Sequence, residues 1–338
     1  MRLAITIAGR QAQRLIDAAE EATVIAVFAR SLYLRDAAGR IACFGGPGLG
    51  EGPLNALCAS WPEAAAVAAN TAASWHSGLL RIGPVELDPT QARLWQPAPS
   101  VSLNAPRLKR SLVRLAAIPA RGLGRMIPAL VGGTLSARLR GERVRAQRAD
   151  EVGHDEHRNQ DHLTLPAASA SGPFPLPRFA AERDKGNHAD SRLSDRFERS
   201  LDDGLLILAS WLRDPAGDPP AAIAMLLGLG PGLTPAGDDA LGGALIALRG
   251  FGREDVADRL AGWLLPSART ATSNISFAHL AAAAEGEGAA ALHDTLASLA
   301  GDDATLAEGV ARLDRIGHSS GWDALAGAVA ALSSAGGR

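Results

Sequence analysis

Asp238 and Asp239 stand side by side at the end of a glycine-rich run, GLGPGLTPAGDD (residues 228–239), and paired carboxylates behind a flexible loop can do chemistry. Pro235 suits the first position of a helix, where its missing N–H costs nothing, and Thr234 before it can accept a bond from an orphan amide of that helix start. A helix is therefore expected to begin near Pro235. Glycines 228, 230 and 232 permit positive φ and close backbone approach, so the loop can wrap a small ligand against the helix N-terminus. Gly230, Gly232, Thr234 and Gly237 are its candidate ligand contacts. The macrodipole stabilises the two aspartates by about 0.3–1 kcal/mol each, yet they would repel a naked phosphate. A cation, an amine or amide donor, or a metal-bridged anion fits better. Neighbours on a helix point about 100° apart, so one of the two carboxylates faces a ligand; Asp239 is the first choice, and Asp238 stays open. The plainer alternative is a tight turn with an acidic first helical turn. No GK[ST] follows, which excludes a Walker loop, and the preceding DPPAAIAMLL reads as a helix opened by Asp218 and Pro219, which excludes a dinucleotide-binding fingerprint.

Two further helix starts carry more polar groups than capping needs. In RTATSNISFAHL, Thr270, Thr272, Ser273, Asn274 and Ser276 crowd the entry to an Ala-rich helix. In RIGHSSGWDALAG, Ser320 followed three residues later by Asp323 has the form of a capping box, which sets His318 and Ser319 just ahead of a helix. Capping alone is worth about 1 kcal/mol and involves no chemistry. Three such starts in one region predict convergence on a shared pocket.

The elements that must position these groups divide the chain. Up to about residue 105 the pattern favours strands (TVIAVFA, SLYLRD, IACF, LLRIGPVELD, ARLWQP), interrupted by an Ala-rich helix expected over Pro62–Trp75 and by GGPGLGEGP at 45–53, read as a connector. Residues 106–195 are read as arginine-rich helices followed by a mobile linker or insertion. Within that stretch Arg107, Arg110, Arg114, Arg121 and Arg125 fall at helical spacing, and His154, His157 and His162 are spaced too loosely for a metal site. Residues 196–338 read as an α-helical domain, acidic at its start and able to dock on the basic stripe. The expected class is α+β: a β-rich N-terminal domain followed by an α-helical C-terminal domain.

Composition narrows the functions further. A net charge of −2, no aromatics interleaved with the arginines and no known motif argue against nucleic-acid binding. Lys109 and Lys185 are the only lysines, which argues against Schiff-base chemistry and a P-loop lysine. Cys43 and Cys58 form no CxxC pair and read as inert thiols of a reduced cytoplasmic protein. No apolar run reaches the length of a membrane span, and the N-terminus has too short an apolar run for a signal peptide.

GLGPGLTPAGDD, TSNISFAHL and IGHSSGWDALAG, in that order, resemble the AllH-like family, named for an oxamate carbamoyltransferase subunit of anaerobic allantoin degradation. The resemblance covers mainly residues 200–335. It implies a carbamoyltransferase subunit acting on oxamate or a related small amide with carbamoyl phosphate. Its implied partners are an FdrA-like acyl-CoA-synthetase-like subunit and a third subunit, with no nucleic acid and no membrane. On that reading Asp239, Asp238 and His318 are the catalytic candidates. His318 would polarise the carbamoyl oxygen and Arg269 would meet the phosphate. Thr272, Ser273, Ser276, Ser319, Ser320 and Asp323 would join the loop in binding. Cofactors stay open, with Mg²⁺ bridging an aspartate to the phosphate as one form. Two alternatives stand beside it: an Mg²⁺-dependent hydrolase using Asp238, Asp239 and Asp323, and a non-catalytic assembly subunit.

Overall fold

The computed structural model describes residues 1–62, 67–98, 104–132, 188–301 and 303–335. It is an α+β protein: among the described residues every strand lies before residue 96 and all α-helices but one lie after residue 104. Nine strands run from β1 (Arg2–Gly9), β2 (Ala22–Phe28) and β3 (Ser31–Asp36) through β4 (Ile41–Gly45), β5 (Asn55–Cys58) and β6 (Ala72–His76). The last are β7 (Leu79–Ile82), β8 (Val85–Asp88) and β9 (Arg93–Trp95). Their order is β5-β4-β3-β2-β6-β7-β8-β1-β9, and β1 also pairs with β5, so eight strands close into a barrel on which β9 is appended beside β1. β1 is the closing stave: Ile5–Ala8 run antiparallel to β5, while its two halves lie parallel to β8 and then β9 on the other side.

Period-two alternation sends Leu32 and Leu34 of β3 and Ala42 and Phe44 of β4 into the barrel core. The same alternation turns Tyr33, Ile41 and Cys43 outward, and Cys43 is nonetheless fully buried, because the helical region covers that face. Helix α1 (Arg10–Ala18) plugs the barrel with Ala12, Leu15 and Ile16. The expected helix over Pro62–Trp75 is not there: residues 63–66 lie outside the described set, and Ala72–His76 form β6, paired with both β2 and β7. Alanine favours helix locally, but ladder bonding to two neighbours overrides that small preference. The 45–53 loop is more than a connector. The Glu51 carbonyl accepts from Ala290 N at 2.9 Å, which fastens the barrel to the helical region.

The helices are α2 (Ala105–Leu115), α3 (Ile127–Val131), α4 (His188–Arg213), α5 (Ala236–Gly250), α6 (Glu254–Ala271), α7 (Asn274–Ala284), α8 (Ala290–Ala300), α9 (Leu306–Leu313) and α10 (Ser320–Ala335). They share one core of small residues and leucines. At its centre α5 and α10 cross so closely that a Cβ on Gly243 would overlap the Ala324 carbonyl, and one on Gly327 would overlap the Ala240 carbonyl. Glycine is needed at both positions for the backbones to approach. The arginine-rich stretch joins this core through Leu108, Leu112, Leu115 and Leu123, while Arg121 pairs with Asp314 at 3.1 Å and Arg125 with Asp202 at 2.7 Å. His154, His157 and His162 lie outside the described residues, whereas residues 188–195 of the expected linker are already helical in α4. No described helix is long and apolar enough to cross a membrane.

Barrel and helices meet over a small apolar seam of Ile41 and Leu54 against Ile275 and Ala282.

Candidate functional site

The first helix start begins one residue later than the sequence suggests. Pro235 is the extended residue ahead of α5 (φ −56°, ψ 144°), and Ala236 opens the helix. Thr234 does not cap an amide; its hydroxyl lies 3.2 Å from Ser320 Oγ at the start of α10. The glycines do bend the loop, with φ of 69°, 145° and 93° at 228, 230 and 232. Two of the loop's candidate contacts serve packing: a Cβ on Gly237 would run into the Leu226 carbonyl, and one on Gly230 into the backbone of Pro235 and Ala236. Around Gly232 there is open space.

The two aspartates have opposite environments. Asp238, 2% exposed, is saturated with donors: Gly228 N reaches Oδ1 at 2.9 Å, and Ser276 Oγ at 2.6 Å shares Oδ2 with the Thr272 hydroxyl. Its carboxylate therefore joins the first helix start to the second. Asp239 points elsewhere. Its Oδ2 is shielded from solvent and has no hydrogen-bond partner among the described residues. Burial is the main reason its carboxyl is pushed well above the ordinary carboxylate range; the Asp323 and Asp238 charges add to this, and the Ser320 and Thr234 hydroxyls oppose it.

The second start is tied to the first again through Ser273. Its Oγ caps α7 by accepting from Ser276 N at 3.0 Å and donates to the Leu233 carbonyl at 2.7 Å. At the third start the expected Ser320–Asp323 capping box is not formed. Ser320 turns to Thr234, while Asp323 Oδ2 accepts from Ser319 Oγ at 2.8 Å and Oδ1 from Leu123 N at 2.6 Å. Asp323 thus caps the short 3-10 helix Gly122–Met126, and a side chain on Gly122, at φ 54°, would strike its carboxylate. Burial raises the Asp323 pKa against the pull of these two donors.

Thr234, Asp238, Asp239, Thr272, Ser273, Ser276, Ser319, Ser320 and Asp323 thereby form one linked network. Two candidates stay outside it. Arg269 is exposed, with its guanidinium 4.8 Å above the Phe277 ring, and His318 is exposed in the turn before α10, where its charge reaches Asp323. Among the described residues no group of three or more His, Cys, Asp or Glu side chains could hold a metal ion. The reason is visible in the donors: Asp238 and Asp323 have already spent their oxygens on N–H and O–H groups, so they do not join Asp239 in a ligand set.

Two residues near the network were missed by pattern reading. Tyr33 of β3 packs against the seam of Ile41, Leu54, Ile275 and Ala282, and its pKa is raised by burial first and by the neighbouring Cys43 next. His279 lies one turn beyond Ser276 on α7, and burial pushes it down to about 4, so it is neutral at pH 7. His279 was legible inside TSNISFAHL as the only titratable side chain of that motif. Tyr33 carries no local signal beyond being the only tyrosine of the chain.

Residues 226–332, which contain all three helix starts, match the model of a family described as oxamate carbamoyltransferase subunit AllH. This is the family that the order of the motifs resembles. No curated protein and no solved structure matches the chain.

Proposed function

We propose that this AllH-family chain is a subunit of a carbamoyltransferase that joins carbamoyl phosphate to oxamate or a closely related small amide, within allantoin nitrogen catabolism. The observation that carries this reading is the buried, unpartnered Oδ2 of Asp239 at the point where the three helix starts converge. A buried polar oxygen without a partner is costly and rare, and a ligand donor offsets that cost.

The reaction suits such a site. The amide nitrogen of oxamate attacks the carbamoyl carbon, the carbonyl oxygen takes up negative charge, and the carbon–oxygen bond breaks with its electron pair leaving on phosphate, whose oxygen takes the proton lost by the nitrogen. No covalent enzyme intermediate is needed, only positioning and donors for the oxyanion. Asp239, in the proton-bearing form that burial favours, accepts from an amide NH₂ through its carbonyl oxygen. The Ser320 and Thr234 hydroxyls orient it. His318, exposed in the turn before α10, is assigned as donor to the carbamoyl oxygen. The phosphate calls for cations, yet Arg269 is turned to Phe277 and no arginine or lysine hydrogen-bonds to Asp238, Asp239 or Asp323 among the described residues. The cationic half of the site is then supplied by a partner, for which the FdrA-like subunit and the third subunit are the candidates. That same shortage favours, as a second reading, an assembly subunit whose partners hold the whole active site.

The test is carbamoyl transfer to oxamate by the chain reconstituted with its partner subunits. Asp239→Asn should lower the rate by about tenfold or more, the worth of one hydrogen bond to a charged or strongly polar group, with melting equal to or slightly above that of wild type at pH 7. Full activity in Asp239→Asn, His318→Ala and Ser320→Ala alike would leave only the assembly reading.

A further inference from the structure

We propose that the cavity of about 260 Å³ between β9 and the C-terminal end of α5 is a second binding site, built for a small uncharged cyclic amide, with His293 as its hydrogen-bond donor. The cavity stands apart from the three helix starts. Ile246 and Phe251 line it, whereas Asp239 lies at the opposite end of α5, and at about 1.5 Å of rise per residue the stretch from 239 to 246 alone spans about 10 Å. Glu51 and Trp95 face it from the barrel side, and His293 and Asp294 of α8 from the other. The two sides are fastened at this point, where Ala290 N donates to the Glu51 carbonyl at 2.9 Å, so the cavity is built into the junction of barrel and helices.

Geometry fixes the donor. Gly288 N donates to His293 Nε2 at 3.1 Å, and a ring whose Nε2 accepts carries its proton on Nδ1. Burial pushes the His293 pKa down to about 4, so the ring is neutral at pH 7 and keeps that tautomer. Nδ1 makes no hydrogen bond among the described residues and is not one of their sealed polar atoms, so this N–H keeps open surface on a residue that lines the cavity. The Trp95 indole stands beside it, ring centroids 6.2 Å apart and tilted by 59°, and with Phe251 it supplies an aromatic wall. Acceptors come from the two carboxylates. Arg93 takes Oε1 of Glu51 at 3.0 Å and Arg312 takes Oδ2 of Asp294 at 3.0 Å, so each pair is neutral and each carboxylate has a second oxygen outside its pair. The ligand that suits this lining has no net charge, a flat apolar face, a carbonyl for the Nδ1 proton and an N–H for a carboxylate. A cyclic amide combines all four.

Uracil is the probe, titrated by calorimetry into the full chain beside 1,3-dimethyluracil, which keeps the ring and both carbonyls but has no N–H. Uracil should bind, and dimethyluracil should bind about tenfold more weakly. His293→Gln sets an amide oxygen where Nε2 stood, so it still accepts from Gly288 N–H, but it offers no donor at the Nδ1 position. It should bind uracil about tenfold more weakly with unchanged melting. Absence of uracil binding by the wild type, equal affinity for the two probes, or wild-type affinity in His293→Gln overturns the proposal. Should His293→Gln melt lower, wild-type protein labelled with [¹⁵N]histidine decides: uracil should shift the Nδ1 resonance of His293, and an unmoved resonance overturns the proposal. Carbamoyl transfer to oxamate is measured separately, so the two readings stand or fall independently.

Discussion

The helical region buries two carboxyls and treats them differently: one faces an arginine of the barrel, the other lies among helix starts. On one side Glu287, 3% exposed in the loop between α7 and α8, faces Arg10 at the start of α1, with Nε 2.8 Å from Oε1. On the other, Asp239 has no ion-pair partner among the described residues; an oxygen without a hydrogen bond is common to both, since neither Glu287 oxygen makes one. Burial raises both pKa values, but the Arg10 and Arg14 charges pull Glu287 back, whereas Asp323 and Asp238 push Asp239 further up. An acid buried with its cation is a clasp between two bodies. The same acid buried among other acids is a liability to the fold, which is retained where a ligand completes it.

The comparison can be broken by mutation. The largest loss of stability is expected for Asp238→Asn, which puts an NH₂ against donors that now converge on a carboxylate: about 2–3 kcal/mol, read by urea denaturation. A loss below about 0.5 kcal/mol would mean that Asp238 is as uncommitted as its neighbour. Arg10→Ala comes next. It leaves Glu287 buried without its cation, and since Arg10 is 39% exposed the cost should fall to about 1–2 kcal/mol, below that of a fully buried pair. An unchanged midpoint would show that Glu287 simply takes up a proton.

Asp239→Asn should change stability least, and in the opposite direction. A carboxyl whose native pKa is raised contributes its full stability below the ordinary carboxylate value near 4 and loses it as pH climbs through the native value. Wild-type protein should therefore lose stability between about pH 4 and pH 7 through this group, and the asparagine variant should lose less. Thermal melts of both proteins across that range check the sign, and a variant that is less stable than wild type at pH 7 contradicts the argument.

The parts of this picture that local chemistry controls were legible in the sequence. Glycine spacing and Pro235 marked the α5 start to within one residue, and alternation in SLYLRD and IACF marked strands. What failed depended on partners far along the chain. Ser320 and Asp323 have the spacing of a capping box, yet each found a competitor from another segment, Thr234 for one and Leu123 N for the other. Ala72–His76 became a strand because β2 and β7 were there to receive it. Tyr33 carried no local signal at all, since only barrel closure and docking seat it against the seam with Ile275 and Ala282. The choice between Asp238 and Asp239 was likewise a question of which neighbour Ser276 and Gly228 would satisfy.

The glycine contact between α5 and α10 lies one helical turn from the two acids: Gly243 follows Asp239 by four residues, and Gly327 follows Asp323 by four. With each backbone seated against a carbonyl of the other, α5 can neither roll nor slide without lifting off α10. The oxygens above this joint are therefore held in a mould that exists before any ligand arrives. Such a mould selects by misfit instead of by motion: a wrong amide is rejected because it cannot be accommodated, and a right one loses little freedom to the protein's own rearrangement on entering.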